Sequence, residues 1–84
     1  MEINKFYELF SRKPIIGMIH LAGKGHEDRV KRALEELVIF DEEGFDGAVI
    51  EDYFGNYEDV SETLLQSSSI GLNLIRGVNI LRNP

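Results

Sequence analysis

Pro14-Ile15-Ile16-Gly17-Met18-Ile19-His20-Leu21 is an apolar run in which His20 is the one polar side chain. Pro14 opens the run and Ala22-Gly23-Lys24-Gly25 closes it. A short apolar segment between such breakers reads as a strand buried on both faces. Strands of that kind belong to parallel sheets covered by helices. Open α/β sheets and barrels place their chemistry at the carboxyl ends of these strands. His20 is therefore the first candidate for a functional side chain.

Working outward, the loop Ala22-Gly23-Lys24-Gly25-His26 holds two glycines and a lysine. Its spacing falls short of a phosphate-cradling P-loop, which needs further glycine spacing and a Lys-Ser/Thr pair. Residues 27–43 follow with Val30, Ala33, Leu34, Leu37 and Val38 at helical spacing. Glu27 and Asp28 suit the first turn, and each has a basic partner four residues on, Lys31 and Arg32. Asp41-Glu42-Glu43 oppose the dipole at the far end. Gly44 then predicts a stop in the left-handed conformation. Phe45-Asp46-Gly47-Ala48-Val49-Ile50 leads into a second strand that ends at Glu51-Asp52.

Asn56 with Asp59 three residues later forms a variant capping box ahead of a second helix over 57–69. Val60 and Leu64 line its inner face, Gln66-Ser67-Ser68-Ser69 weakens its end, and Gly71 terminates it. A third strand is expected over 75–81, with Asn79 inside its apolar run. A buried amide needs a hydrogen-bond partner, so Asn79 faces a ligand or ties a neighbouring strand. Ahead of the first strand, Ile3, Phe6, Tyr7 and Phe10 predict a short helix over 3–10. The succession of strand, helix, strand, helix, strand predicts parallel strands with right-handed crossover helices.

The chain has 84 residues, 43% of them apolar, no cysteine and a formal charge of −6. This composition supports a globular core and offers no disulfide, thiol nucleophile or zinc knuckle. Acidic and basic residues are interleaved, which argues against a nucleic-acid-binding stripe. Its apolar runs are short for a membrane span and no secretory leader is visible, so a cytoplasmic protein is expected. Three strands with two full crossover helices leave an apolar edge and an uncovered face. We read residues 1–84 as the amino-terminal part of a single larger α/β domain. A homo-oligomer that covers the edges is the lesser alternative.

Three stretches resemble signatures of the BtpA family, in that family's order: Lys13 to Leu21, Ile50-Glu51-Asp52-Tyr53-Phe54-Gly55-Asn56, and Gly77-Val78-Asn79-Ile80-Leu81-Arg82-Asn83. The resemblance implies the first three β-strands of a (β/α)8 TIM barrel, similar to the ribulose-phosphate-binding barrels. The loop after His20-Leu21 lacks the family's proline-rich character. The Glu51 stretch is one residue longer, and the Asn-Asp after the third strand becomes Asn83-Pro84. These departures bear on the ligand more than on the fold.

On the barrel reading, His20 and Glu51 are the candidate catalytic residues, able to exchange protons. Asp52, Asn79, Arg82 and Asn83 are the candidate ligand-binding residues, with Arg82 suited to an anion. Glu51 with Asp52 also suggests a hard cation such as Mg²⁺. The expected ligand is a small anionic molecule, a sugar-phosphate or nucleoside-like metabolite. The full-length parent would then be an isomerase, lyase or glycosidase, and the isolated 84 residues would be inactive. The alternative function is a non-catalytic assembly factor, which the family's link to photosystem I biogenesis suggests.

Overall fold

The computed structural model describes residues 13–81. The helix expected over 3–10 and the candidates Arg82 and Asn83 lie outside the described residues. The elements run β1 (Ile16–Ile19), α1 (His26–Glu42), β2 (Gly47–Glu51), α2 (Tyr57–Ser67) and β3 (Ile75–Asn79). The three strands form one sheet in the order β1-β2-β3, and both pairings are parallel. This is an α/β fold of the βαβ type.

Helix α1 is built on Val30, Ala33 and Leu37, which are buried at three- and four-residue spacing. Its end is a Schellman motif around Gly44, whose φ is 84°. Gly44 N donates to Asp41 O at 3.1 Å and Phe45 N donates to Phe40 O at 3.0 Å. The apolar contact that often accompanies this motif is also present, with the Phe40 and Phe45 rings stacked at 4.6 Å. Asp41 has a specific task despite its unfavourable place in the helix dipole. Its Oδ1 accepts from both Asn73 N and Leu74 N at 2.9 Å, holding the segment that leads into β3.

Helix α2 opens with the expected capping box. Asp59 N donates to Asn56 Oδ1 at 3.0 Å, and Asn56 N donates to Asp59 Oδ2 at 2.9 Å. The helix stops at Ser67, two residues before the expected end. Ser67, Ser68 and Ser69 each donate a hydroxyl to the carbonyl three residues back. Such bonds compete with the helix ladder and suit a terminus.

Two strands differ from expectation. β1 is four residues long and is not buried on both faces, since Met18 is 38% exposed. Pro14 has no N–H to offer the ladder, and Leu21, at φ 59°, turns the chain away. The strand buried on both faces is the central one, β2, where Gly47, Ala48, Val49 and Ile50 are all buried. β3 ends at Asn79, short of Leu81. There Leu81 N donates to Asp52 Oδ1 at 2.7 Å and so leaves the strand direction.

The core lies between the sheet and the helices. Ile19, Ala48 and Ile50 meet Ala33 and Leu37 of α1 and Val60 of α2. Gly17 belongs to the same face, and a Cβ there would lie 2.5–2.8 Å from three Phe40 ring carbons. Gly17→Ala is therefore expected to cost about 1–3 kcal/mol through overpacking. Trimming the ring in Gly17→Ala/Phe40→Leu should recover part of that loss in a urea titration.

At the amino ends of the strands, Asp46 joins all three. Its Oδ2 accepts from Ile15 N at 2.8 Å, its N–H donates to Ile15 O at 2.9 Å, and its carbonyl accepts from Ile75 N at 3.0 Å. With that end fixed by backbone bonding, the carboxyl ends are the place to look for chemistry.

Candidate functional site at the carboxyl ends of the strands

Residues paired across a parallel ladder project to the same face, and the face alternates along each strand. The register therefore sorts the face opposite the helices into rungs. Ile16, Gly47 and Ile75 form the first, and Met18, Val49 and Gly77 the second. Glu51 pairs with Asn79 in the third. Two apolar rungs are thus topped by a polar one at the carboxyl end. Glu51 and Asn79 are half-buried, and among the described residues no hydrogen bond or ion pair engages either side chain.

His20 lies one residue past β1. Its ring meets Tyr53 at 5.6 Å and Phe54 at 6.3 Å between centroids. The loop after β2 is pinned to it by a bond from Phe54 N to His20 O at 3.0 Å. His20 makes no hydrogen bond to Glu51. On α1, burial holds the Glu36 carboxyl above its usual value against the opposing influence of His20 and Arg32.

Asp52 is buried, and its Oδ1 accepts from Leu81 N. It joins the exit of β2 to the exit of β3. Among the described residues, no three His, Cys, Asp or Glu side chains gather as a metal would need. Asp52 is buried with its Oδ1 on the Leu81 backbone, whereas Glu51 is half-buried at the adjacent position, the last of β2. Arg76 lies on the opposite face of the sheet from Glu51. It pairs in register with Ala48 and donates from Nη1 to Ser67 Oγ of α2.

In the glycine loop after β1, Lys24 N donates to Asp28 Oδ2 at 2.8 Å, one residue ahead of Gly25, the N-cap of α1. This hydrogen bond, with the Arg32 guanidinium 3.0 Å away, holds the Asp28 carboxyl below its usual value despite opposing desolvation.

Sequence reading missed the most connected side chain. Asp59 is a capping residue by its spacing, but it also binds the start of α1. Its Oδ1 lies 2.6 Å from His26 Nδ1, and Arg29 Nε donates to Oδ2 at 2.5 Å. Arg29 Nη2 reaches Oδ1 at 3.3 Å, making the pair bidentate. Burial raises the Asp59 carboxyl, but hydrogen bonds from Arg29, His26 and Asn56 N, with the Arg29 charge, bring it below its ordinary value. The visible signal was His26 and Arg29 three residues apart on one face of α1.

Two archaeal proteins resemble the chain along most of its length. It is 36% identical to an uncharacterized protein of Thermococcus kodakarensis over 93 aligned positions. It is 31% identical to an uncharacterized protein of Pyrococcus horikoshii over 91. Each alignment covers 88% of this chain and 35% of the relative, so the chain spans about a third of the length of these curated relatives. No family model and no solved structure matches. Among the described residues, no helix is long and apolar enough to cross a membrane.

Proposed function

We propose that this chain supplies the first three strands of a (β/α)8-type barrel whose carboxyl rim binds a small sugar-phosphate or nucleoside-like metabolite. The observation that carries this reading is the polar rung. Glu51 and Asn79 are in register, half-buried and, among the described residues, unengaged by other side chains, above two rungs of apolar residues and glycine. Polar groups placed so are the usual contacts of a ligand at the carboxyl face of a barrel. Glu51 would accept a proton or hydrogen bond, Asn79 would both donate and accept, and His20 would sit to one side as a proton carrier. An isomerase, lyase or glycosidase reaction in a longer parent would draw on these groups.

Two further facts support the barrel. The relatives extend well beyond the matched region, which leaves length for the remaining strands. An apolar groove of about 420 Å³ between α2 and β3, lined by Tyr57, Leu64, Leu65, Val78 and Ile80, lies where a helix following β3 would pack. The same groove is what favours the second reading, an assembly factor that holds a protein partner. The resemblance to the BtpA family accommodates both.

The test is a heteronuclear NMR titration of the chain with ribose 5-phosphate and with adenosine, following the Glu51 and Asn79 amides. At least one probe should shift both amides along a saturating curve. Glu51→Gln should weaken binding of that probe about tenfold, as expected for losing a hydrogen bond to a charged group. Failure of both probes, or an unchanged affinity in Glu51→Gln with the fold intact, would remove the rim reading.

A further inference from the structure

Three rings meet at the same end of the sheet as the polar rung. Tyr53 and Phe54 touch at 4.6 Å between centroids with their planes 83° apart, and both contact His20. The rings come from the exits of two neighbouring strands and are held together by the Phe54 N to His20 O bond. They are fixed in place, yet they are not core. Tyr53 is 53% exposed and Phe54 60%, and His20 is also exposed. Aromatic side chains contribute most when buried, so an ordered, exposed trio at a rim calls for something that covers it.

The charges nearby narrow the choice. Arg29 is bound through its guanidinium to buried Asp59. Lys24 N, just ahead of α1, is taken by Asp28 Oδ2. The polar rung carries one carboxylate and one amide, Glu51 and Asn79. The other two described guanidiniums are also engaged, Arg32 with Asp28 and Arg76 with Ser67, so among the described residues an isolated phosphate would find a carboxylate here and no uncommitted guanidinium. A flat, uncharged heteroaromatic ring would find faces to stack on. Its N–H and amino groups would meet the Glu51 carboxylate, and its ring nitrogens or carbonyls would meet the Asn79 amide.

From this juxtaposition we infer that His20, Tyr53 and Phe54 form a stacking platform for a nucleobase-like ring, with Glu51 and Asn79 reading its edge. The inference rests on the rim reading above and narrows its ligand to a nucleoside. Any phosphate on that ligand is bound by other parts of a longer protein. Stacking accepts every base face, so the platform sets the class of ligand, and the polar pair sets which base edge is preferred.

The same titration, read at the ring signals, separates this inference from the reading beneath it. Adenosine should move the His20, Tyr53 and Phe54 ring resonances by ring current, and ribose 5-phosphate should leave them in place. Tyr53→Ala should weaken adenosine binding about tenfold, the scale of one base-to-aromatic stack, and Tyr53→Phe should retain it. If ribose 5-phosphate shifts the Glu51 and Asn79 amides while adenosine does not bind, the platform is overturned and the rim reading survives. Unchanged adenosine affinity in Tyr53→Ala also overturns it. If neither probe binds, both fall.

Discussion

Asp59→Ala should leave the chain largely unfolded at neutral pH. Asp59 is 0% exposed and accepts from His26, Arg29 and the Asn56 backbone, so its removal strands a mostly buried guanidinium and leaves the Asn56 N–H without its acceptor. Breaking one side of a buried ion pair typically costs about 3–5 kcal/mol. Folded proteins hold only roughly 0.1 kcal/mol per residue in total, and this chain has 84. The effect is thus comparable with the whole stability of a small domain. Asp59→Asn keeps one acceptor and removes the charge, so its loss should be smaller. The pH dependence carries the sign of a depressed carboxyl. Folding lowers the Asp59 value below 3.8, so the favourable contribution is complete above that pH and fades as pH falls through the folded value. Chemical denaturation of wild type and Asp59→Asn should therefore converge in acid and diverge toward neutrality.

Leu37→Ala should cost about 2–5 kcal/mol, the range for truncating a buried leucine. Leu37 is fully buried where α1 meets the sheet, in one cluster with Ile19, Ala33, Ala48 and Ile50. The loss should appear as a lower urea midpoint with an unchanged slope, because the surface exposed on unfolding stays nearly the same. Leu65→Ala is the control. Leu65 is 68% exposed on α2, so its truncation in the isolated chain should move stability by no more than about 0.5 kcal/mol. A Leu65 effect as large as that of Leu37 would mean that the α2 surface is covered in solution.

The two effects differ in how far the sequence foretold them. Leu37 sits in a periodic apolar pattern, and patterns of that kind are local, so α1 and its inner face were readable to within a residue. Gly44 and the Asn56/Asp59 box were readable for the same reason, since each motif closes within a few positions. The ends of β1 and β3 were not. Apolar runs continue past Ile19 and Asn79, and the strands stop because Leu21 turns and because Asp52, 29 residues earlier in the chain, takes Leu81 N. The candidate site divides along the same line. Glu51 was placed at the end of its strand and Asn79 inside a longer one, and their pairing needed only the register. His20 packs against Tyr53 and Phe54, whose position depends on a loop conformation that no periodicity encodes. The reach of Asp59 to His26 and Arg29 joins segments about 30 residues apart.

Asp41 carries a consequence for how the molecule opens. The last turn of α1 ends in three acidic residues and would fray readily alone, whereas Asn73 and Leu74 have their N–H groups held by Asp41 from that turn. Each side steadies the other across more than thirty residues of chain, so neither can loosen by itself. The end of α1 and the start of β3 should then exchange their amide hydrogens as one cooperative unit, with a shared opening free energy.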